Sequence, residues 1–225
     1  MQNKNLIIVF LDSVSYDQFL RANAPAMKSI GSVHLALSHG SWTGPSFASL
    51  LLGEPPWCSV QNCEHNKILP RCINIFNEMR KKDYHIYGYT SSPWAKALER
   101  RMKYYNYSES LEDMLSDFLE TKKEPFFVIF HILETHAPYS FKGNIRETVW
   151  RDGKPVVELE KKAQLKAIEY VDTQVGKLMN EVRANFLITA DHGEIFDEKN
   201  YGHMWQDLSF CPGLLKVPII ATGVS

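Results

Sequence analysis

Three apolar runs in this sequence end at acidic or imidazole side chains, and this repetition limits the folds open to the chain. The runs and the residues that follow them are 6–11 with Asp12, 126–130 with His131, Glu134 and His136, and 186–190 with Asp191 and His192. Short, partly β-branched runs are typical of buried parallel strands, and ligands collect beyond the carboxyl ends of such strands. A surface turn would explain Asp191 and Gly193 but not the repetition. The pattern therefore predicts a metal site at one edge of a sheet.

Length and composition exclude several classes of protein. The 225 residues suffice for one domain with a sizeable core, and we expect a single domain over 1–225. The formal net charge of −1 does not favour general binding to nucleic acid or to a membrane surface. No apolar run reaches the length of a membrane span. Because no signal-peptide core precedes the first strand, we expect a cytoplasmic protein.

Helical and strand patterns alternate along the chain. Helical spacing covers 16–30 (one or two helices), 46–52, 72–82, 94–104, 110–121 and 158–182. Further strands are predicted at 33–37, 84–89 and 217–221. This alternation predicts an α/β fold, a three-layer sandwich around a mostly parallel central sheet.

Two segments leave alternatives open. Cys58, Cys63 and Cys72 lie close to His65, and the first pair has a spacing that some structural zinc sites use. Because no second closely spaced pair follows, we favour reduced thiols. Residues 140–157 have the composition of a substrate lid and equally that of an ordinary solvated loop.

The motifs, in their order along the chain, resemble the alkaline phosphatase superfamily, on its branch of sulfatases and phosphoethanolamine or phosphoglycerol transferases. The motifs are the opening strand with Asp12, the segment Thr43-Gly-Pro-Ser46 with its helix to Gly53, His136-Ala-Pro-Tyr139, Tyr170 with Asp172 and Gly176, Asp191-His-Gly-Glu194, Tyr201-Gly-His203 and the strand at 217–220. One such motif alone would be weak evidence. The ordered set covers nearly the whole chain and is specific.

The resemblance implies a site. Asp12, Asp191, His192 and the Thr43 hydroxyl would hold one divalent cation, which would activate Thr43 as a nucleophile. His136 and His203 would bind a second ion or contact the transferred group directly, so one or two ions are expected. Mixed oxygen and nitrogen ligands suit Zn²⁺ or Mn²⁺, with Mg²⁺ and Ca²⁺ as alternatives.

Each assignment has a structural alternative. Asp12 could be a helix N-cap, and Thr43 could be one too, with Ser41 or Ser46 as the nucleophile. His136 could be a loop residue held by the backbone, and His131 could be a core residue at the end of a strand. Glu134 has no assigned role, and Glu194 would orient His192 or an amide.

Departures from the family pattern direct the functional hypothesis. Related sulfatases carry Cys or Ser, followed by Pro-Ser-Arg, where this chain has Thr43 and, at the Arg position, Phe47. A threonine cannot form the formylglycine of those enzymes, so we expect hydrolysis or transfer of a small anionic phosphate ester. Sulfate or phosphonate ester hydrolysis is one alternative, and a degenerate metal- or anion-binding domain is another. Relatives usually continue into a C-terminal subdomain, so this chain is either a minimal family member or has lost the remainder. If residues 1–225 are complete, we also expect a homodimer or a partner at the exposed sheet edge.

Overall fold

Strands and helices alternate around one central sheet. The computed structural model describes residues 5–52, 75–91, 105–108, 110–197, 201–203 and 211–224. The strands are β1 (Leu6–Leu11), β2 (His34–Leu37), β3 (His85–Thr90), β4 (Tyr105–Tyr107), β5 (Phe126–Ile132), β6 (Trp150–Arg151), β7 (Lys154–Pro155), β8 (Asn185–Ala190) and β9 (Lys216–Ala221). The helices are α1 (Tyr16–Arg21), α2 (Pro25–Lys28), α3 (Thr43–Leu52), α4 (Ile75–Arg80), α5 (Leu111–Thr121), α6 (Val157–Glu181) and α7 (Pro212–Leu215).

The sheet brings the ends of the three motif-bearing strands together. In the described parts of the chain its order is β2-β9-β8-β1-β5-β3-β4. The strands from β8 to β4 are mutually parallel, whereas β9 runs antiparallel to β8 and to β2. Leu11 lies opposite both Ile132 and Ala190. The residues that follow β1, β5 and β8 therefore emerge at the same edge.

Helices cover both faces of the sheet, which makes the three predicted layers. Side chains of a strand alternate between its two faces. One face of β1 packs against a large buried cluster that includes residues of α1, α2, α5 and α6. The other face, through Ile8 and Phe10, packs with Phe76 of α4. The central strands are thus buried on both sides, and the expected fold class is confirmed.

Helix α6 is fastened to α2 by the motif that contains Asp172 and Gly176. The Asp172 carboxylate accepts the backbone N–H groups of Met27, at 2.7 Å, and Ala26, at 3.2 Å. These are orphan amides of the first turn of α2, so Asp172 supplies the cap that Ala24 cannot. A Cβ on Gly176 would lie 3.0 Å from the Cβ of Ala26, which explains why a glycine occupies this position where α6 packs against α2.

Some boundaries differ from the sequence predictions. Helix α3 begins at Thr43 rather than at residue 46, and β5 continues to Ile132, so that it includes His131. The short strand β4 was not predicted. The helix predicted at 94–104, and the cysteines with His65, lie outside the described residues. No helix in the described ranges is long and apolar enough to cross a membrane.

Candidate metal and catalytic site

Four of the predicted site residues form one buried cluster at the carboxyl edge of the sheet. Ligand atoms of Asp12, Asp191 and His192 all lie within 4.8 Å of one another. The Thr43 hydroxyl lies 3.5 Å from Asp12 Oδ2 and 3.4 Å from His192 Nε2. All four side chains are buried. The residues come from β1, the start of α3 and the end of β8, so the sheet register is what brings them together.

Backbone groups orient these ligands. The Ser13 N–H donates to Asp191 Oδ1 at 3.2 Å, and the His192 N–H donates to the same oxygen at 2.8 Å. His192 Nδ1 donates to the Gly193 carbonyl at 2.8 Å, which turns Nε2 towards the carboxylates.

The cluster fits a divalent cation. Asp191 Oδ2 is fully buried and has no hydrogen-bond partner among the described residues. A buried carboxylate oxygen in that position needs a positive charge or a donor. Two carboxylates and one imidazole are a donor set that Zn²⁺ and Mn²⁺ accept.

His131 belongs to the same cluster, a placement that the sequence left open. Its Nε2 lies 3.2 Å from Asp12 Oδ2 and 3.8 Å from Asp191 Oδ2, and its Nδ1 lies 3.0 Å from the Thr90 hydroxyl. Burial lowers the pKa of His131, but the neighbouring carboxylates of Asp12 and Asp191 outweigh it and raise the pKa to about 9. In the protein without a cation, His131 therefore places one positive charge beside the carboxylates.

The pKa of Asp12 is set by the same neighbours. Burial alone would raise it, but the charge of His136 and the hydrogen bond from His131 together hold it well below its usual range. Asp12 is accordingly an anion at neutral pH, the form that a metal ligand requires.

The two downstream histidines lie beside this cluster. The His203 ring is centred 4.5 Å from that of His192 and 5.1 Å from that of His136. His203 Nδ1 donates to Glu194 Oε1 at 2.9 Å, and His136 Nδ1 donates to the Ala137 carbonyl at 2.7 Å. Burial lowers the pKa of His203, but the bond to Glu194 outweighs it and raises the pKa. Glu194 thus orients His203, rather than His192 or an amide as the sequence suggested.

The contacts decide between several alternatives. Ser15, and not Asp12, is the N-cap of α1, because its hydroxyl accepts the Gln18 N–H. The Ser46 hydroxyl accepts a hydrogen bond from Ser38 at 3.0 Å, whereas that of Thr43 faces the acidic cluster. These contacts favour Thr43 over Ser46 as the nucleophile.

Glu134 and Gly193 have structural roles of a kind that the sequence did not indicate. Glu134 Oε1 accepts the Leu111 N–H at 2.7 Å, so it caps the first turn of α5. A surface turn would explain Gly193 by the backbone freedom of glycine. Its φ is not among the positive values, and a Cβ there would lie 2.0 Å from the Gly213 carbonyl oxygen. Close backbone approach is therefore the reason for glycine at this position.

Sequence reasoning missed the polar residues that hold the site loops. Glu160 and Gln164 are both fully buried in α6, and neither was among the predicted site residues. Two polar side chains at i and i+4 on the buried side of a helix were the available signal. Arg146, in the loop over 140–157, forms an ion pair with Glu160. The loop is therefore anchored to α6 at Arg146, and this contact leaves both alternatives, a substrate lid and a solvated loop, open.

Solved structures share this fold at low sequence identity. The C-terminal periplasmic domain of EptC from Escherichia coli, in complex with Zn, superposes with a TM-score of 0.68 at 16% identity, covering 97% of this chain and 72% of that one. The phosphonate monoester hydrolase of Agrobacterium radiobacter has a TM-score of 0.66 at 14% identity, with coverage of 96% and 67%. Identities this low show the fold alone.

These comparisons correct one expectation. Several solved structures with this fold are C-terminal periplasmic domains, including those of EptC from Escherichia coli and of the phosphoethanolamine transferase EptC from Campylobacter jejuni. The cytoplasmic location expected from the sequence is therefore wrong. That expectation rested on the lack of a signal-peptide core before β1, which is weak evidence about the compartment of a chain.

Sequence comparison assigns the family. The low-salt glycan biosynthesis sulfotransferase Agl7 of Haloferax volcanii is 28% identical over 236 residues, covering 98% of this chain. The chain spans 54% of that protein, about half of its length. The family model described as Sulfatase matches residues 4–222. With a match over almost its whole length, the chain belongs to the sulfatase family, within the alkaline phosphatase superfamily.

Proposed function

We propose that this protein is a metal-dependent enzyme that hydrolyses or transfers a phosphate ester through Thr43. The observation that carries the proposal is the position of the Thr43 hydroxyl, within 3.5 Å of both Asp12 and His192 in a buried acidic cluster. A hydroxyl in this position can share a cation with the ligands around it. Two solved structures with this fold support the proposal: the EptC domain in complex with Zn and the phosphonate monoester hydrolase of Agrobacterium radiobacter.

The residues would divide the reaction between them. A divalent cation held by Asp12, Asp191 and His192 would supply positive charge that lowers the pKa of the Thr43 hydroxyl. The Thr43 hydroxyl would then lose its proton to solvent. The Thr43 Oγ then forms a bond to phosphorus while the ester P–O bond breaks, and the electron pair of that bond leaves with the alcohol oxygen. His203, whose pKa is raised by Glu194, donates the proton that this oxygen needs.

A second step would regenerate the enzyme. Water, or an acceptor alcohol, attacks the phosphothreonine on phosphorus, and the bond from phosphorus to Thr43 Oγ breaks. The proton of the attacking hydroxyl returns to His203, and Thr43 recovers its own from solvent. Thr43 lies at the start of α3, where backbone amides and the helix dipole favour an anionic group. His136 would contact the same group from the side of His203.

Sulfate ester chemistry is the second candidate. The family model and the sulfotransferase relative from Haloferax volcanii favour it. Thr43 opposes it, because a sulfothreonine lacks the release route of a formylglycine hydrate. An extracytoplasmic location and a homodimer, or a partner at the sheet edge, complete the proposal.

The test is a comparison of nitrophenyl phosphate, its phosphodiester analogue and nitrophenyl sulfate, with Zn²⁺ or Mn²⁺ supplied. We expect phosphate esters to be cleaved faster. Thr43→Val, which keeps the shape of the side chain but removes the hydroxyl, should lose about 10³-fold or more in kcat, while Thr43→Ser keeps measurable activity. Faster sulfate cleavage would favour the second candidate, and undiminished activity of Thr43→Val would refute the role of Thr43.

A further inference from the structure

Gln164 joins the two loops that carry the opposite sides of the site. Its Nε2 donates to the Ser13 carbonyl at 2.9 Å and to the Thr135 carbonyl at 3.1 Å. Ser13 follows Asp12, and Thr135 precedes His136. Both hydrogens of one side-chain amide are therefore used to hold the end of β1 against the loop after β5.

Ser13 connects Gln164 with Asp12 and Asp191 through hydrogen bonds. Its N–H donates to Asp191 Oδ1, and its hydroxyl donates to Asp12 Oδ1 at 2.8 Å. Its φ of 63° lies in the left-handed region, which is unfavourable for serine, so surrounding contacts must hold it. Gln164, which accepts a bond from Gln18 at 3.4 Å, supplies one of these contacts. A shift of Ser13 would move donors away from both carboxylates.

One turn earlier in α6, Glu160 holds the segment that follows His136. Arg146 forms two bonds with the Glu160 carboxylate, at 2.6 Å and 3.0 Å, and donates to the Pro138 carbonyl at 3.0 Å. Its guanidinium lies 5.8 Å from the centre of the Tyr139 ring. Paired, two-pronged contacts of this kind fix direction as well as distance.

We propose that Gln164 and the Arg146–Glu160 pair are positioning residues. They fix the buried cluster around Asp12 and Asp191 relative to the two histidines, His136 and His203. Glu160 and Gln164 are four residues apart, so both project from one face of α6. That face reaches the Ser13 loop and the His136 segment from one rigid helix. The expected effect on kcat rests on the proposed function. The expected effect on zinc affinity depends only on the positions of the metal ligands.

The first test compares Gln164→Met with Gln174→Met in the full chain. Gln174 lies on the same helix and is also buried, but it donates to Glu112 of α5 and not to the backbone of Ser13 or Thr135. Zinc affinity is measured by competition with a chromophoric chelator. We expect Gln164→Met to lose about 10- to 100-fold in zinc affinity, the usual effect of removing a group that orients a ligand, and Gln174→Met to stay near wild type. Equal zinc affinities in the two variants would overturn the proposal, whatever their melting temperatures.

The second test concerns the ion pair. Arg146→Met should reduce kcat about 10- to 100-fold at saturating zinc, with a smaller change in KM, and Arg146→Lys should restore part of the loss. A purely structural role would lower the melting temperature of Arg146→Met without changing kcat per folded molecule, and that result would overturn this half of the proposal. Wild-type protein without turnover would refute the proposed function instead, while the zinc comparison would still decide the role of Gln164.

Discussion

Replacement of Gly193 by alanine tests the closest backbone contact at the site. The new Cβ would lie 2.0 Å from the Gly213 carbonyl oxygen and 3.0 Å from Ser15 Cβ. The Gly193 N–H also donates to the Leu214 carbonyl at 2.8 Å, so the two segments are held together where the methyl group would enter. Because the obstructing atom belongs to the backbone, a side-chain rotation cannot relieve the clash.

The expected cost follows from these contacts. Relief requires a separation of the segments by roughly 1 Å, and overpacking of this kind costs about 1–3 kcal/mol. Loss of the bond to Leu214 adds about 1 kcal/mol. A total of about 2–4 kcal/mol corresponds to a fall of roughly 4–15 °C in Tm for a chain of this length. Since His192 precedes Gly193, zinc affinity should fall as well.

Gly213→Ala is the matched control. A Cβ at that position meets nothing within 4 Å among the described residues, although Gly213 is the other partner in the same contact. Thermal and urea unfolding of both variants, with zinc affinity measured alongside, are the assays. If Gly193→Ala melts within about 1 °C of Gly213→Ala, the close-approach explanation is wrong.

Three further predictions concern stability. Asp172→Ala should cost about 1–2 kcal/mol in urea unfolding, because two N-terminal amides of α2 lose their acceptor, and Asp172→Asn should retain part of this stability. Removal of metal by a chelator should lower the stability of zinc-saturated protein by about 3 kcal/mol at a zinc concentration of 100 Kd, and a metal-independent Tm would contradict the site. In chelator-treated protein, the raised pKa of His131 contributes stability that is present below its ordinary value near 6.5 and is lost as pH rises through about 9. His131→Gln should remove this pH dependence, which Tm measured from pH 6 to 10 would reveal.

The sequence was sufficient for the features that depend on local patterning. The apolar runs predicted β1, β5 and β8, and their ends predicted where ligands would gather. The motif order predicted the family, and the α/β alternation predicted the layered sheet. These properties follow from strand and helix periodicity, which depends only on residues a few positions apart in the sequence.

The roles of particular side chains needed the register of the sheet. His131 could be a core residue or a site residue until β5 was placed beside β1, where its ring meets Asp12. The role of Gly193 depends on a carbonyl oxygen about twenty residues away, and the alternation of strand residues carries no sign of that approach.

The sequence by itself indicated the fold class and the position of Asp12, Asp191 and His192 at the carboxyl edge, because both follow from short-range hydrophobic periodicity and side-chain chemistry. Thr43 and His203 were assigned by the resemblance to a known family. Only the tertiary structure decided which groups orient that set. Gln164 acts through the backbone carbonyls of Ser13 and Thr135, up to 151 residues away in the chain. Since every residue type has such a carbonyl, the partner of a buried amide is determined by the packing of α6 against the sheet and not by any local pattern.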